Sequence, residues 1–252
     1  MVKLKKPLQI LFISLLYFFL SSCQFQDFLS DNDVEIDTIN YISTVVVTSN
    51  VKVTTETYEY ILGLEKVGPH KGTGSGVIFH NTNDEYYVLT NAHVVHLSDD
   101  YHHRYYIDDS SGNSYQGSLF LISKEFDLAI LKFESQKTYI PIAFSNINPE
   151  IGEIVFSIGS PSGQANIITA GKILQYKNIE QVDYEILLHD ALVKPGSSGS
   201  MLINQKFEIV GINTWGFEKS TKSAEEFVYG GATPIEKILE FINKEPLFNQ
   251  SK

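Results

Sequence analysis

The stretch Lys194-Pro195-Gly196-Ser197-Ser198-Gly199-Ser200 sets a serine between two glycines and between apolar segments. Such a run lets a backbone aim several N–H groups at one point, because glycine tolerates φ > 0 and close approach of another chain. Ser198 is therefore a candidate nucleophile. Its own N–H and that of Gly196, with Ser197 as a third candidate, would face a developing oxyanion. Taken alone, the stretch fits a Gly/Ser turn equally well. Two partners lie upstream. His93 stands just beyond the apolar run Tyr86-Tyr87-Val88-Leu89, and Asp127 heads the run Leu128-Ala129-Ile130-Leu131. A general base must be held firmly yet stay partly exposed, and the end of a strand provides both. A carboxylate at the head of an apolar run needs partners, and the N–H of a histidine is a good one. Singly, each also has a structural reading, as a satisfied core histidine and as an acid at a turn. Together they give the order His, Asp, Ser, which is not the serine-first order of the α/β-hydrolases.

The elements that must position these residues read as strands. The first half holds β-rich runs at about 42–49, 74–80, 85–90, 103–108, 115–122 and 127–133, with Val51 to Tyr60 also rich in Val, Thr and Tyr. The second half holds runs at about 151–158, 165–176, 183–189, 199–204, 207–215 and 227–233. Turn residues such as Asn81-Thr82-Asn83-Asp84 and Ser110-Ser111-Gly112-Asn113 separate them. One helix is expected from Pro234 to Asn243, where Ile235, Ile238, Leu239 and Ile242 recur at helical spacing. Many short strands and no repeat point to an all-β chain of barrels or sandwiches. The junction between halves falls in 134–150, around Pro141 and Pro149.

The N-terminus is read as a targeting segment. Lys3, Lys5 and Lys6 precede an apolar run from Leu8 to Leu20, which is short for a membrane span and meets Ser21-Ser22-Cys23. Cys23 is the only cysteine, so no intrachain disulfide accounts for it. Leu20-Ser21-Ser22-Cys23 resembles a bacterial lipobox. That resemblance implies removal of residues 1–22 and acylation of Cys23, palmitate included; two or three acyl chains anchor a protein stably where one does not. An uncleaved anchor, or a plain signal with a chance cysteine, is the alternative. The acidic stretch Gln24 to Asp37 is expected to be a tether, with order beginning near Ile39. The formal net charge of −11 becomes −14 once three lysines and no acid leave with the signal. This excess of acid argues against nucleic-acid partners and against electrostatic docking on anionic lipid.

The motifs together resemble the trypsin-like serine proteases, and among them the HtrA/Deg family. The likeness runs through Gly72-Thr73-Gly74-Ser75-Gly76-Val77-Ile78, Leu89-Thr90-Asn91-Ala92-His93-Val94-Val95 and Asp127-Leu128-Ala129-Ile130-Leu131. It continues through Ser157-Ile158-Gly159-Ser160-Pro161-Ser162-Gly163, Asp190-Ala191-Leu192, the serine loop, and Val210-Gly211-Ile212-Asn213-Thr214. The resemblance implies two six-stranded antiparallel β-barrels with a C-terminal helix. Barrel one would span about 39–135, barrel two about 150–233 and the helix 234–243, leaving 246–252 as a tail. It implies a serine endopeptidase acting on unfolded or exposed extracytoplasmic polypeptides, lipid-anchored to a bacterial membrane. Ser198 would be the nucleophile, His93 the base and Asp127 its orienting partner, with Asn213, Thr214 and Trp215 along the substrate backbone. Two residues depart from the family pattern. Ser200 replaces a usual second glycine, and Ser197 stands where asparagine is common. The family often carries PDZ domains, and from the few residues after the helix none is expected here. Homotrimers are known in the family, but the segment before Tyr41 gives no signal for one.

In trypsin-like proteases the residue six before the nucleophile forms the base of the P1 pocket. That position is Leu192, which predicts small aliphatic P1 residues; the alternative is that Asp190 reaches the pocket and selects Lys or Arg. No cofactor is expected. Gly72 to Gly76 lacks the Lys-Ser/Thr and helix of a phosphate loop. His96, His102 and His103 have no cysteine or second motif to complete a zinc site. The competing function is a catalytically silent lipoprotein of the same fold, serving as a surface binding or chaperone-like module.

Overall fold

The computed structural model describes residues 23–32, 34–161, 166–218 and 227–250. The signal segment 1–22 and the pair Ser162-Gly163 lie outside the described residues. Strands β1 (Asn50–Ile61), β2 (Leu64–Thr82), β3 (Glu85–Thr90), β4 (His102–Asp109), β5 (Ser114–Ser123) and β6 (Leu128–Glu134) close into one barrel in the order β1-β2-β3-β6-β5-β4. Strands β7 (Ile154–Gly159), β8 (Ile167–Lys177), β9 (Ile186–His189), β10 (Met201–Ile203), β11 (Ile209–Glu218) and β12 (Phe227–Pro234) close a second in the order β10-β11-β12-β9-β8-β7. All the ladders are antiparallel, as a chain of hairpins between short runs requires. The expected fold class is the one observed.

Each sheet closes on itself, and one buried cluster runs through both barrels. Phe126, Leu128 and Ile130 of the first meet Phe156, Ile158, Tyr184 and Ile186 of the second in one buried cluster. At roughly 1.5–3 kcal/mol for each large side chain taken from water, this seam holds the two halves at a fixed distance. That matters because the candidate triad is divided between them. Helix α4 (Ile235–Ile242) buries Ile235, Ile238, Phe241 and Ile242 on one face of the same cluster, as its spacing predicts.

Three expectations at the ends of the chain are corrected. Residues 42–49 do not form a strand. Helix α2 (Ile36–Thr44) runs into a 3₁₀ turn over Val46–Ser49, and the first strand is the later run β1. Ile39, Ile42 and Val46 are buried at spacings of three and four, so helical burial overrides the β-propensity of the valine run. The expected tether is also structured. Helix α1 (Cys23–Asp31) is closed by Asn32 Nδ2 donating to the Phe28 carbonyl at 2.8 Å, and Leu29 and Val34 pack on the core. The expected tail is a 3₁₀ turn, Pro246–Gln250, whose Phe248 ring lies 5.1 Å from Phe79 and 5.3 Å from Tyr87. A phenylalanine with an aromatic pocket in reach does not stay in water. Among the described residues no helix is long and apolar enough to cross a membrane.

Candidate active site

β3 ends at Thr90, and the chain turns through Asn91 into the one-turn helix α3 (Ala92–Val95), which carries His93. β6 is preceded by Asp127, whose φ of 49° is left-handed. Aspartate tolerates that region better than most residues, at a cost of about 1 kcal/mol. The turn places both carboxylate oxygens against one residue. His93 Nδ1 lies 2.6 Å from Asp127 Oδ2, and the His93 N–H donates to Asp127 Oδ1 at 2.9 Å. A carboxylate only accepts, so Nδ1 carries the hydrogen, and in the neutral imidazole Nε2 then keeps its lone pair. The His93 side chain is 48% exposed and that of Asp127 22%, so the base is reachable while its partner is largely covered.

The serine loop leans on Ser75 of β2. The Ser75 N–H donates to the Ser198 carbonyl at 2.7 Å, and Ser75 Oγ donates to the Gly196 carbonyl at 2.8 Å. Gly196 and Gly199 have φ of 93° and 85°. A Cβ on Gly199 would lie 2.1 Å from the Ser75 carbonyl oxygen, so the glycine here is demanded by both conformation and space. Of the three N–H groups expected to face an oxyanion, two are uncommitted among the described residues. The Ser197 N–H is spent on the Lys194 carbonyl at 2.9 Å, and Ser197 Oγ accepts from the Lys194 N–H at 3.1 Å. This corrects the expectation for Ser197: it closes the turn. The N–H groups of Gly196 and Ser198 have no acceptor among the described residues. Ser198 Oγ makes no hydrogen bond among the described residues either, so its contact with His93 is not closed in this conformation. Such contacts often tighten only when substrate binds.

A cleft of about 210 Å³ beside Ser198 is lined by Val193, Lys194 and Pro195 on one wall and Asn213, Thr214, Trp215 and Gly216 on the other. Leu192 is absent from this lining and is 41% exposed. Burial alternates along Ala191, Leu192 and Val193, which turns Leu192 outward and Val193 inward. Asp190 does not reach the cleft lining either; its Oδ1 accepts from the Lys172 N–H at 2.6 Å. Asn213 lines the cleft, but its backbone is committed. Its carbonyl accepts from Gly199 and its N–H donates to Ser200, both at 2.9 Å. Thr214 is the unpaired residue of a bulge between Asn213 and Trp215.

Sequence reasoning missed the buried network behind this wall. His189, fully buried on β9, lies with Nε2 2.7 Å from Asn213 Oδ1. The Asn213 Nδ2 in turn donates to Ser157 Oγ and Ser200 Oγ, each at 2.9 Å. Burial pushes His189 down to about 4, outweighing the hydrogen bond to Asn213, so the ring is neutral and Nε2–H donates. The departure Ser200 is thus an acceptor in this network. The one signal in the sequence was a histidine closing the apolar run Ile186-Leu187-Leu188. Among the described residues no group of three or more His, Cys, Asp or Glu is arranged to hold a metal ion.

Two closed barrels with a histidine–aspartate pair on one and a glycine-flanked serine on the other define a trypsin-like peptidase fold. The sequence profile of the trypsin-like peptidase domain matches residues 74–212, more than half of the chain, and the chain belongs to that family. Its relatives include HtrA- and Deg-type serine proteases. It is 32% identical to a probable periplasmic serine endoprotease, DegP-like, of Buchnera aphidicola over 60% of this chain and 32% of that one. It is 30% identical to the serine endoprotease DegS of Escherichia coli over 68% of this chain and 47% of that one. A solved HtrA-type protease, AlgW with a decapeptide, superposes with a TM-score of 0.65 at 24% identity, covering 82% of this chain and 66% of the other. The chain spans about a third to a half of the length of these curated relatives.

Proposed function

We propose that this chain is an HtrA-type serine endopeptidase. Ser198 Oγ attacks the scissile carbonyl as His93 Nε2 takes its proton, and Asp127 steadies the imidazolium that forms. The N–H groups of Gly196 and Ser198 hold the oxyanion; one such donor is worth about 3–4 kcal/mol. His93 then gives its proton to the leaving amine, and water releases the acyl group from Ser198. The substrate main chain pairs beside the bulge residue Thr214 and Trp215, in the manner of an added strand. What carries this reading is the two-point grip of Asp127 on His93, combined with the uncommitted N–H groups of Gly196 and Ser198. A binding module has no use for either.

The wall residues Val193 and Trp215 take over the apolar role first given to Leu192, so the cleft suits small aliphatic P1 side chains. The location is extracytoplasmic, in line with the periplasmic DegP-like relative, and the substrates are unfolded or exposed polypeptides. Cys23 is the lipid attachment point by its lipobox, and Cys23→Ala is expected to release the protein from membranes or block its processing. A wild-type protein that fractionates as fully soluble with residue 24 or later at its N-terminus overturns the anchor. The trimer is a matter for light scattering on the purified chain. The test of function is hydrolysis of an unfolded polypeptide. Wild type is expected to cleave internally and Ser198→Ala to be inert; equal rates from both overturn the proposal.

A further inference from the structure

The backbone on either side of Asp127 is held by a chain of side chains that the triad itself does not include. On the near side, the Asp127 carbonyl accepts from Asn91 Nδ2 at 2.9 Å and from the Ala92 N–H at 3.1 Å. On the far side, the Phe126 carbonyl accepts from Tyr184 OH at 3.2 Å, and Thr233 Oγ1 lies 3.5 Å from the same oxygen. Both hydroxyls belong to the second barrel. The two sides are joined. Tyr184 OH lies 3.3 Å from Thr233 Oγ1, which lies 3.2 Å from Thr214 Oγ1, which accepts from the same Asn91 Nδ2 at 2.9 Å. The loop of hydrogen bonds therefore starts on one peptide of Asp127 and returns to the other. Tyr184 and Thr233 are 8% and 0% exposed, so these hydroxyls have no water to turn to.

We infer that Tyr184, with Thr233, is a positioning residue that locks the left-handed turn at Asp127, so that the second barrel, which carries Ser198, also sets the carboxylate that orients His93. The inference rests on the proposed role of Asp127. Three features favour it over simple packing. Asp127 has the φ of 49° that needs outside support, and the Tyr184 hydroxyl, backed by that of Thr233, acts on the peptide immediately before it. The Tyr184 ring stands edge-on to Phe126 with centroids 6.1 Å apart, which fixes the distance from which the hydroxyl reaches the carbonyl. Burial pushes the phenol up to about 12, so it stays a donor across the working range of a histidine base.

The test uses the full chain and the variants Tyr184→Phe, Thr233→Val, their double and the conservative Thr233→Ser. Tyr184→Phe keeps the ring against Phe126 and removes only the hydroxyl. The double variant is expected to lose kcat by roughly tenfold or more at unchanged KM, since misaligning a catalytic group by a fraction of an ångström costs that much. Tyr184→Phe should fall between it and wild type, and Thr233→Ser should behave as wild type. A less well aligned Asp127 stabilises the imidazolium less, so the acid limb of the kcat/KM profile should move to lower pH. A loss of packing alone would lower the unfolding temperature and leave that limb in place. A second readout does not depend on turnover: the downfield Nδ1–H proton resonance of His93 should shift or broaden in the double variant. If wild type hydrolyses nothing but the resonance responds, the proposed function fails and this inference stands. If the double variant matches wild type in acid limb and resonance, the inference is overturned, whatever the activity.

Discussion

Gly199→Ala is the substitution whose consequence the structure dictates most closely. The residue follows Ser198 at φ 85°, a region that costs an L-residue about 1 kcal/mol. The added methyl would sit 2.1 Å from the Ser75 carbonyl oxygen and 2.4 Å from Thr90 Oγ1. The first of these is backbone and cannot rotate away. Either the loop or β2 must shift by about an ångström, and the shift breaks the bond that Thr90 Oγ1 donates to the Ser75 carbonyl at 2.7 Å, worth about 1 kcal/mol. The Ser75 N–H contact to the Ser198 carbonyl lies in the path of the same movement. The expected loss of stability is about 2–4 kcal/mol. Displacing the nucleophile by this distance should slow acylation about a hundredfold. The assay is the second-order rate of fluorophosphonate labelling at a temperature where circular dichroism shows the variant still folded. A folded Gly199→Ala that labels at the wild-type rate would refute the view that Ser75 and Gly199 set the nucleophile.

The other expectations concern charge and specificity. Because burial holds His189 down to about 4 in the folded chain against about 6.5 unfolded, the unfolded state takes up a proton that the folded state refuses. Its stabilising share is complete above about pH 6.5 and is lost as pH falls toward 4, about 3 kcal/mol in all. Chemical unfolding should show this slope in wild type and a shallower one in His189→Gln; equal slopes would exclude His189 as its source. In a peptide library, cleavage is expected after Val, Ala, Ile or Leu. Val193→Phe should narrow the choice to Ala, while Leu192→Ala leaves it unchanged. Dominant cleavage after Lys or Arg, abolished by Asp190→Asn, would reverse the assignment of the pocket.

The sequence made the barrels legible because each strand is a short apolar or alternating run closed by a turn, and local pattern is enough for that. It failed at Val45-Val46-Val47, where the pull of the core at Ile39 and Ile42 decided for a helix. The pairing of His93 with Asp127 was legible because each stands at the boundary of a run, where a polar residue has little structural excuse. Leu192 was misassigned because counting back from Ser198 does not say which way a side chain turns; the alternation at Ala191 and Val193 does. Ser197 was overcounted as a donor because only the folded loop reveals that the Lys194 carbonyl already holds its N–H. Tyr184 and Thr233 were out of reach altogether. Their partner is the Phe126 carbonyl, 58 and 107 residues away, and a backbone oxygen has no signature in a sequence.

The central claim is that His93 and Asp127 on one barrel activate Ser198 on the other. Its most direct test is the mass and site of a fluorophosphonate adduct on the full chain. A single adduct mapped to Ser198 is expected, absent in Ser198→Ala and formed at least a hundredfold more slowly in His93→Ala. An adduct on another residue, or one that forms as fast without His93, would contradict the account.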